Sequence, residues 1–398
     1  MSEGASGRRP PIEVWLGRIE FAGVALLLSA LAHSEALKSA GLILALLALA
    51  VRLALGSRPA WLRKPTVWAA AGVVLTAVVA VVAAEPGWRH PMKLSALGGM
   101  IAVYILVLDV VTSRRRLEVL VGALLLGTAA GVAVSSWTPS LRNGRFALPS
   151  LPNPVVAGEY LAGVLPLAFW TVMLRRARPL TRTLSLAVAL AGTAALWLTV
   201  SRGPLLACAL GLALLVSIQA RRAWVAALVL VPVAALAIGL SVTEPTSRLV
   251  GDRLEDAVRI RTDIWSQTLE LVAERPVTGH GPGTFGRLDV RVTDGSGPHR
   301  TMHAHNVMLH LLVERGILGF AAFALFVGLA VRDMVRGLRT APRGRPSPVP
   351  AVAASVAALL VAGLSSLTLR AEPGMLFYAM LGLGSFRSMR GADDEAGE

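Results

Sequence analysis

Residues 303–331 read HAHNVMLHLLVERGILGFAAFALFVGLAV, a polar head that runs directly into an apolar segment of membrane length. A helix needs roughly 20 consecutive apolar residues to cross the hydrocarbon core of a bilayer. This run supplies them once His303, His305 and Asn306 are passed. The head closes the only long hydrophilic stretch of the chain, 242–305, so at this point groups that take and give protons stand at a boundary between water and lipid.

Outward from that run, the same kind of segment recurs. The chain has 398 residues, of which 55% are hydrophobic and 16% charged, with mean hydropathy +0.64. Soluble domains are about 45–50% apolar and about 25% charged. Twelve spans are expected: 16–33, 39–55, 67–84, 94–111, 117–136, 154–174, 183–200, 204–220, 223–241, 306–331, 349–368 and 372–387. The expected fold class is therefore an all-α polytopic membrane protein with about 12 transmembrane helices. The spans form a single integral membrane domain, 1–398, and 242–305 is a large extracytoplasmic loop carrying short helices. The first span carries Arg18 and Glu20, shows no small-residue cleavage site and is followed at once by a second, so it reads as a signal anchor. No internal repeat stands out.

Lys and Arg in short loops favour the cytoplasmic side. With the N-terminus inside, clusters such as Arg52, Arg58, Arg63 and Lys64, the Arg114–Arg116 triplet, and Arg332, Arg336 and Arg339 all fall inside. The short outer loops hold far fewer cations: Lys38, Arg89, Lys93, Arg142, Arg145, Arg202 and Arg370. Both termini are thus expected in the cytoplasm, in the cytoplasmic membrane. The net charge of +15 follows from this topology and from anionic inner-leaflet lipids, so it does not call for nucleic acid. Cys208 is the only cysteine; it excludes an intrachain disulfide and a Cys-based metal site, and reads as a small apolar filler.

Four groups of residues carry potential chemistry. His303 and His305 are the first. A histidine there can act as a general base near neutral pH or ligate a metal, but no carboxylate lies at metal-binding spacing nearby. If the helix begins near 303, His303, Asn306 and His310 share one face. The second is Ser201-Arg202-Gly203-Pro204, an outer turn between two spans. Arg202 there either snorkels to headgroups or offers its planar fork to phosphate oxygens. The third is Arg261, one helical turn from Trp265 and beside Arg259, which either binds an anion or pairs with Asp263 or Glu255. The fourth is Glu159, an intramembrane carboxylate after Asn153-Pro154 and ahead of a kinking Pro166; it is a site candidate or a structural partner of an arginine.

The loop also holds a helical stretch, 252–274, with Val258, Ile260, Ile264, Trp265, Thr268, Leu269 and Val272 near one face, ended by Pro276. Such a helix lies in the interface plane or packs on the tops of the spans. The Gly279–Phe285 run is a tight turn that either approaches an anion or is simply a turn. Glu314 orients a neighbour or neutralises an arginine, and Gly316 and Gly319 allow close packing. Asp393-Asp394 falls on the inner side. Outer arginines plus a base match a reaction on an anionic, lipid-borne substrate whose leaving group gathers negative charge.

The chain resembles the O-antigen ligase / O-antigen polymerase superfamily of membrane glycosyltransferases over residues 90–390. The resemblance rests on His305-Asn306 followed by Leu309, Leu312, Glu314, Gly316 and Gly319. It rests also on Ser201-Arg202-Gly203, on Arg261 with Trp265 ahead of Pro276, Gly279, Gly281, Gly283 and Phe285, and on Asn153-Pro154 with Leu165-Pro166. It implies an inverting, metal-independent transfer on the outer face, with no cofactor and no metal. The donor would be a polyisoprenyl (undecaprenyl)-diphosphate-linked glycan, and the acceptor an unspecified glycan, lipid or protein hydroxyl. By the same resemblance His305 is the base, His303 supports or replaces it, and Arg202, Arg261 and Arg259 grip the diphosphate. Asn306, Glu314, Trp265 and Glu159 support them. The rival class is a transporter or flippase of an anionic or lipid-linked solute, which predicts a polar path to the midplane and paired broken helices.

Overall fold

The computed structural model of the protein describes residues 11–89, 91–137, 141–142, 145–174, 179–220, 247–294, 297–340 and 347–385. The apolar runs become α1 (Pro11–Ala30), α2 (Glu35–Ala54), α3 (Pro65–Ala83), α4 (Met92–Val110), α5 (Arg114–Trp137), α6 (Pro154–Met173), α7 (Pro179–Leu198) and α8 (Arg202–Ala220). After α9 (Ser247–Glu274) come α10 (Val307–Thr340), α11 (Val349–Gly363) and α12 (Ala371–Gly384). Among the described residues, strand is confined to two short hairpins, Leu141–Arg142 with Arg145–Phe146 and Arg291–Asp294 with Gly297–Arg300.

Eight of the described helices, α2 to α8 and α10, are long and apolar enough to cross a membrane. The expected spans are borne out as helices throughout the described residues. The ninth, 223–241, lies outside them, as does Asp393-Asp394. α11 and α12 have only 15 and 14 residues, short of a full crossing. Large apolar side chains such as Leu47, Trp68, Leu75, Val82 and Leu190 point away from the bundle, as a lipid-facing surface requires. Between helices the contacts are small. A Cβ on Gly23 would meet the Gly41 carbonyl and the Ala45 amide at 2.8 Å, so α1 and α2 approach backbone to backbone.

Two groups of buried charges, one toward each end, are paired. At one end Arg52 reaches Glu20 at 2.5 Å and Asp109 at 2.6 Å, and the Trp61 indole donates to Asp109 at 2.9 Å. At the other, Lys38 pairs with buried Glu372 and with Glu35. This second end carries α9 and the loops around it, and is called the capped end below.

The cap has its own small core: Ile264, Phe285, Leu288, Val290, Val292 and Ala304, closed by Val313 of α10. The buried face of α9 is narrower than its spacing suggested, since Val258 is 58% and Leu269 53% exposed. The Trp265 indole donates to the Ala304 carbonyl at 3.0 Å and ties α9 to the polar head of α10.

The central device is a break in α10. Gly316 has φ 62 and ψ −169, and the helix is interrupted there. An unbroken helix would bond the amides of Ile317 and Leu318 to the carbonyls of Val313 and Glu314. Instead those amides take Pro276 O (2.8 Å) and Val277 O (3.3 Å), while the two carbonyls accept from His280 N and Gly281 N at 2.9 Å. Four orphaned groups are satisfied by one loop, as burial demands. Gly316 therefore admits the Val277 carbonyl rather than a neighbouring helix. α6, by contrast, runs on through Pro166.

The conformation of Gly316 is essentially restricted to glycine, and such strain costs on the order of 1–3 kcal/mol. Gly316→Ala is expected to lower the melting temperature of the detergent-solubilised protein accordingly. A melt that superimposes on the wild type would show that the loop does not dock on the break.

Candidate functional site

Three non-glycine residues have positive φ among the described ones: Val200 (51), His305 (49) and Ala371 (52). A β-branched residue there is a genuine outlier, and backbone strain of this kind gathers at functional sites. Val200 stands two residues before Arg202, His305 is itself a site residue, and Ala371 follows Arg370. All three lie at the capped end, where the N-termini of α6, α8, α10 and α12 bring the positive ends of their dipoles.

Contacts between the loops show that they converge. A Cβ on Gly158 of α6 would meet the Thr199 hydroxyl at 3.1 Å and Pro204, and one on Gly203 would meet the Ser365 hydroxyl at 2.5 Å. The Ser366 hydroxyl donates to Glu159, which is 1% exposed. Arg370 acts electrostatically on Glu159, His303 and His305, and Arg261 acts on His305. The strands of this network are thus the Glu159 turn, the Arg202 turn, the histidine head, α9 and the Arg370 loop.

The head of α10 corrects one expectation. The helix begins at Val307, and His303 and His305 lie in a bent, irregular approach to it, with His305 in the left-handed region. Asn306 is its cap: Oδ1 accepts from the amides of Met308 (2.9 Å) and Leu309 (3.2 Å). The shared helical face of His303, Asn306 and His310 does not exist. What forms instead is a histidine pair, with ring centroids 4.2 Å apart. Burial, then His305, Arg370 and His310, push the His303 pKa down to about 3, and burial, then Arg261 and Arg370, push that of His305 below its ordinary value. Both shifts favour the neutral form of the ring.

The remaining expected residues divide. Arg202 and Arg261 are exposed and pair with no carboxylate among the described residues. Asp263 faces Arg259, at 3.9 Å, rather than Arg261. Trp265 is a tether. Glu314 accepts from the Phe285 amide at 3.3 Å and stands 3.4 Å from the His310 ring, so it orients neighbours. The Gly279–Phe285 run is a structural turn, because the amides of His280 and Gly281 are spent on the break in α10. Among the described residues no three His, Cys, Asp or Glu side chains gather as a metal-binding group. Cys208 is buried, as a filler should be.

One residue was overlooked in the sequence. Arg370 entered only the charge tally, yet it reaches both halves of the site. The signal was present: an arginine in a tight outer loop between two spans, followed by Glu372-Pro373. The buried Lys38–Glu372 pair holds the turn that carries it.

This geometry can be set beside known proteins. Residues 160–324 match the model of the O-antigen ligase family. The match begins inside α6 and ends in α10, so it spans Arg202, Arg261 and the histidine pair and stops before Arg370. It bears out the resemblance to the O-antigen ligase and polymerase superfamily, and with the apolar helices it supports a multi-pass membrane protein with ligase- or polymerase-type activity in general. No curated protein matches the chain.

The depressed histidine pKa values set a pH dependence. The fold favours neutral rings, so their contribution to stability is present above 6.5, the ordinary histidine value, and is lost as pH falls toward about 3. An anion bound against Arg261 and Arg370 offsets their field and raises the pKa of His305. Since kcat/KM reports the free enzyme and kcat the complex, the acid limb of kcat/KM is expected at lower pH than that of kcat. Coincident limbs in a transfer assay would show that the histidines do not sense these guanidiniums.

Proposed function

We propose that this O-antigen ligase family protein is an inverting glycosyltransferase that acts at the outer face of the cytoplasmic membrane. It transfers a glycan from a polyisoprenyl-diphosphate donor to an acceptor hydroxyl, as a surface polysaccharide ligase or polymerase. The observation that carries the reading is the neutral His303–His305 pair set beside Arg261 and Arg370, neither of which has a carboxylate partner among the described residues.

In this reading the acceptor oxygen attacks the anomeric carbon from the face opposite the diphosphate. The oxygen–carbon bond forms as the bond to the leaving diphosphate oxygen breaks, which inverts the anomeric centre. His305 takes the hydroxyl proton, and His303 at its side supports it. Arg202 and Arg261 hold the diphosphate and stabilise the charge it gains, with Arg259 and the helix N-termini adding to the positive field. That charge is met by guanidinium groups, so the reading assigns no step to a metal. Glu159 and Arg370 keep the Arg202 turn and the histidine head in register. The capped end faces outward, in accord with the distribution of Lys and Arg.

A transporter would need broken helices that open a polar path. α10 is broken, but its freed backbone groups are closed by the 276–281 loop rather than left to line a channel.

Two variants test the roles. His305→Asn keeps a residue that tolerates positive φ and removes the base; glycan transfer is expected to fall about 10²–10⁴-fold with membrane insertion intact. Full transfer by this variant would end the general-base assignment. Arg202→Lys keeps the charge and loses the fork, so donor binding is expected to weaken ten-fold or more in a titration of the purified protein; wild-type affinity would remove Arg202 from the diphosphate site.

A further inference from the structure

Toward the end of the bundle away from the cap, α3 and α10 flank a groove of about 520 Å³ on the lipid-facing surface. Ala69 and Gly72 of α3 and Ala322 of α10 make a floor of small residues. Trp68 and Leu325 stand beside it as walls, 66% and 58% exposed. The Trp68 indole donates to the Leu62 carbonyl at 3.0 Å, which fixes the position of one wall.

Gly72 is not a packing glycine. A Cβ on Gly23 or Gly41 would run into the backbone of the facing helix, whereas one on Gly72 meets nothing within 4 Å. The space above it is open. A helix with its side chains is about 10–12 Å across and would fill 520 Å³ within roughly one turn. The groove therefore suits a thin, flexible chain better than a partner helix.

Charge is confined to one end of the groove. Arg63, just ahead of Pro65 at the start of α3, is the charged residue among the described ones that line it, and no acid lines it with Arg63. The guanidinium is at an exposed position and meets no carboxylate among the described residues. The first turn of α3 carries no acid either, so the positive end of the helix dipole adds to that charge. An apolar groove with a cationic mouth is complementary to a molecule with an anionic head and a hydrocarbon tail. Basic pockets between membrane helices on the cytoplasmic side bind anionic headgroups in this way. With the capped end outward, as proposed above, this end meets the cytoplasmic leaflet, where the anionic lipids are.

We propose that the groove is a binding site for one anionic glycerophospholipid, with its phosphate at Arg63 and an acyl chain laid over Gly72 between Trp68 and Leu325. A zwitterionic lipid fills the apolar part equally well but brings no net charge to Arg63, and a soluble phosphate has the charge without the chain. The consequence reaches the cap, because the same two helices carry it. At the other end of α3 a Cβ on Gly281 would lie 2.8 Å from the Ala84 side chain, and Arg275 reaches Glu85 at 2.6 Å. α10 holds the cap through the break at Gly316. A lipid that bridges α3 and α10 steadies the pair of helices on which the cap stands.

The test is a titration of the full chain in detergent with phosphatidylglycerol and with phosphatidylcholine of the same acyl chains, read by native mass spectrometry and by thermal melting. Wild type is expected to retain one phosphatidylglycerol about five-fold more tightly than phosphatidylcholine, the effect of one basic residue on an anionic headgroup, and to melt higher with it bound. Gly72→Leu fills the groove without meeting a neighbour; it is expected to lose that lipid while melting like lipid-free wild type. Arg63→Gln keeps the groove and loses the preference, so the two lipids should bind alike. Equal retention of both lipids by wild type would overturn the proposal. So would a preferred phosphatidylglycerol that survives both changes. A protein that is dimeric in detergent and becomes monomeric on Gly72→Leu would give the groove to a second copy of the chain and overturn it as well.

Discussion

The structure depends on how one broken helix is repaired. In a bilayer a freed backbone amide or carbonyl has no water to turn to, so a helix break survives only where protein fills it. At Gly316 the 276–281 loop supplies both donors and both acceptors. The cap is thereby bonded to a membrane helix through its main chain, not only laid upon the bundle. The histidine head immediately precedes the first turn of the same helix, and Trp265 fixes it from the α9 side. Arg275 to Glu85 at 2.6 Å and Arg287 to the Gly87 carbonyl at 2.8 Å add further ties between cap and bundle.

Strain and unpaired charge are concentrated in the same place. Val200, His305 and Ala371 hold costly backbone conformations, each next to or at a residue with proton or anion chemistry. Buried Arg52 and Lys38 meet carboxylates, whereas at the capped end Arg202, Arg261, Arg315 and Arg370 have no carboxylate partner among the described residues. Stability is given up here in two forms at once, and the buried Lys38–Glu372 pair beside Ala371 offsets part of it. A binding partner of opposite charge is the natural completion of such a surface.

The electrostatic field also explains why histidine suits the head of α10. Burial and neighbouring guanidinium groups both disfavour the imidazolium form, which keeps the ring a proton acceptor at neutral pH. An anion placed against Arg261 and Arg370 would offset their field and raise the proton affinity of the ring, and on the proposed function this couples donor binding to the strength of the base.

Much of this was legible in the chain alone. Apolar runs of membrane length report the helices because the bilayer demands about 20 apolar residues per crossing, and helix bonds are local. Pro276 marked the end of α9, and Asn306, Arg202 and Arg261 were visible as polar residues at the mouths of spans. What depended on tertiary structure was everything that couples distant segments. The sequence showed Gly316 as small but not that a loop would enter the helix there. It suggested a helical face for His303 and His310, whereas the cap at Asn306 starts the helix later and turns His303 toward His305. Arg370 looked like any loop cation, because its importance lies in residues 65 and 211 positions away, His305 and Glu159. Local hydrogen bonding and burial write themselves into sequence period and composition; long-range electrostatic and main-chain contacts are decided only when the helices pack.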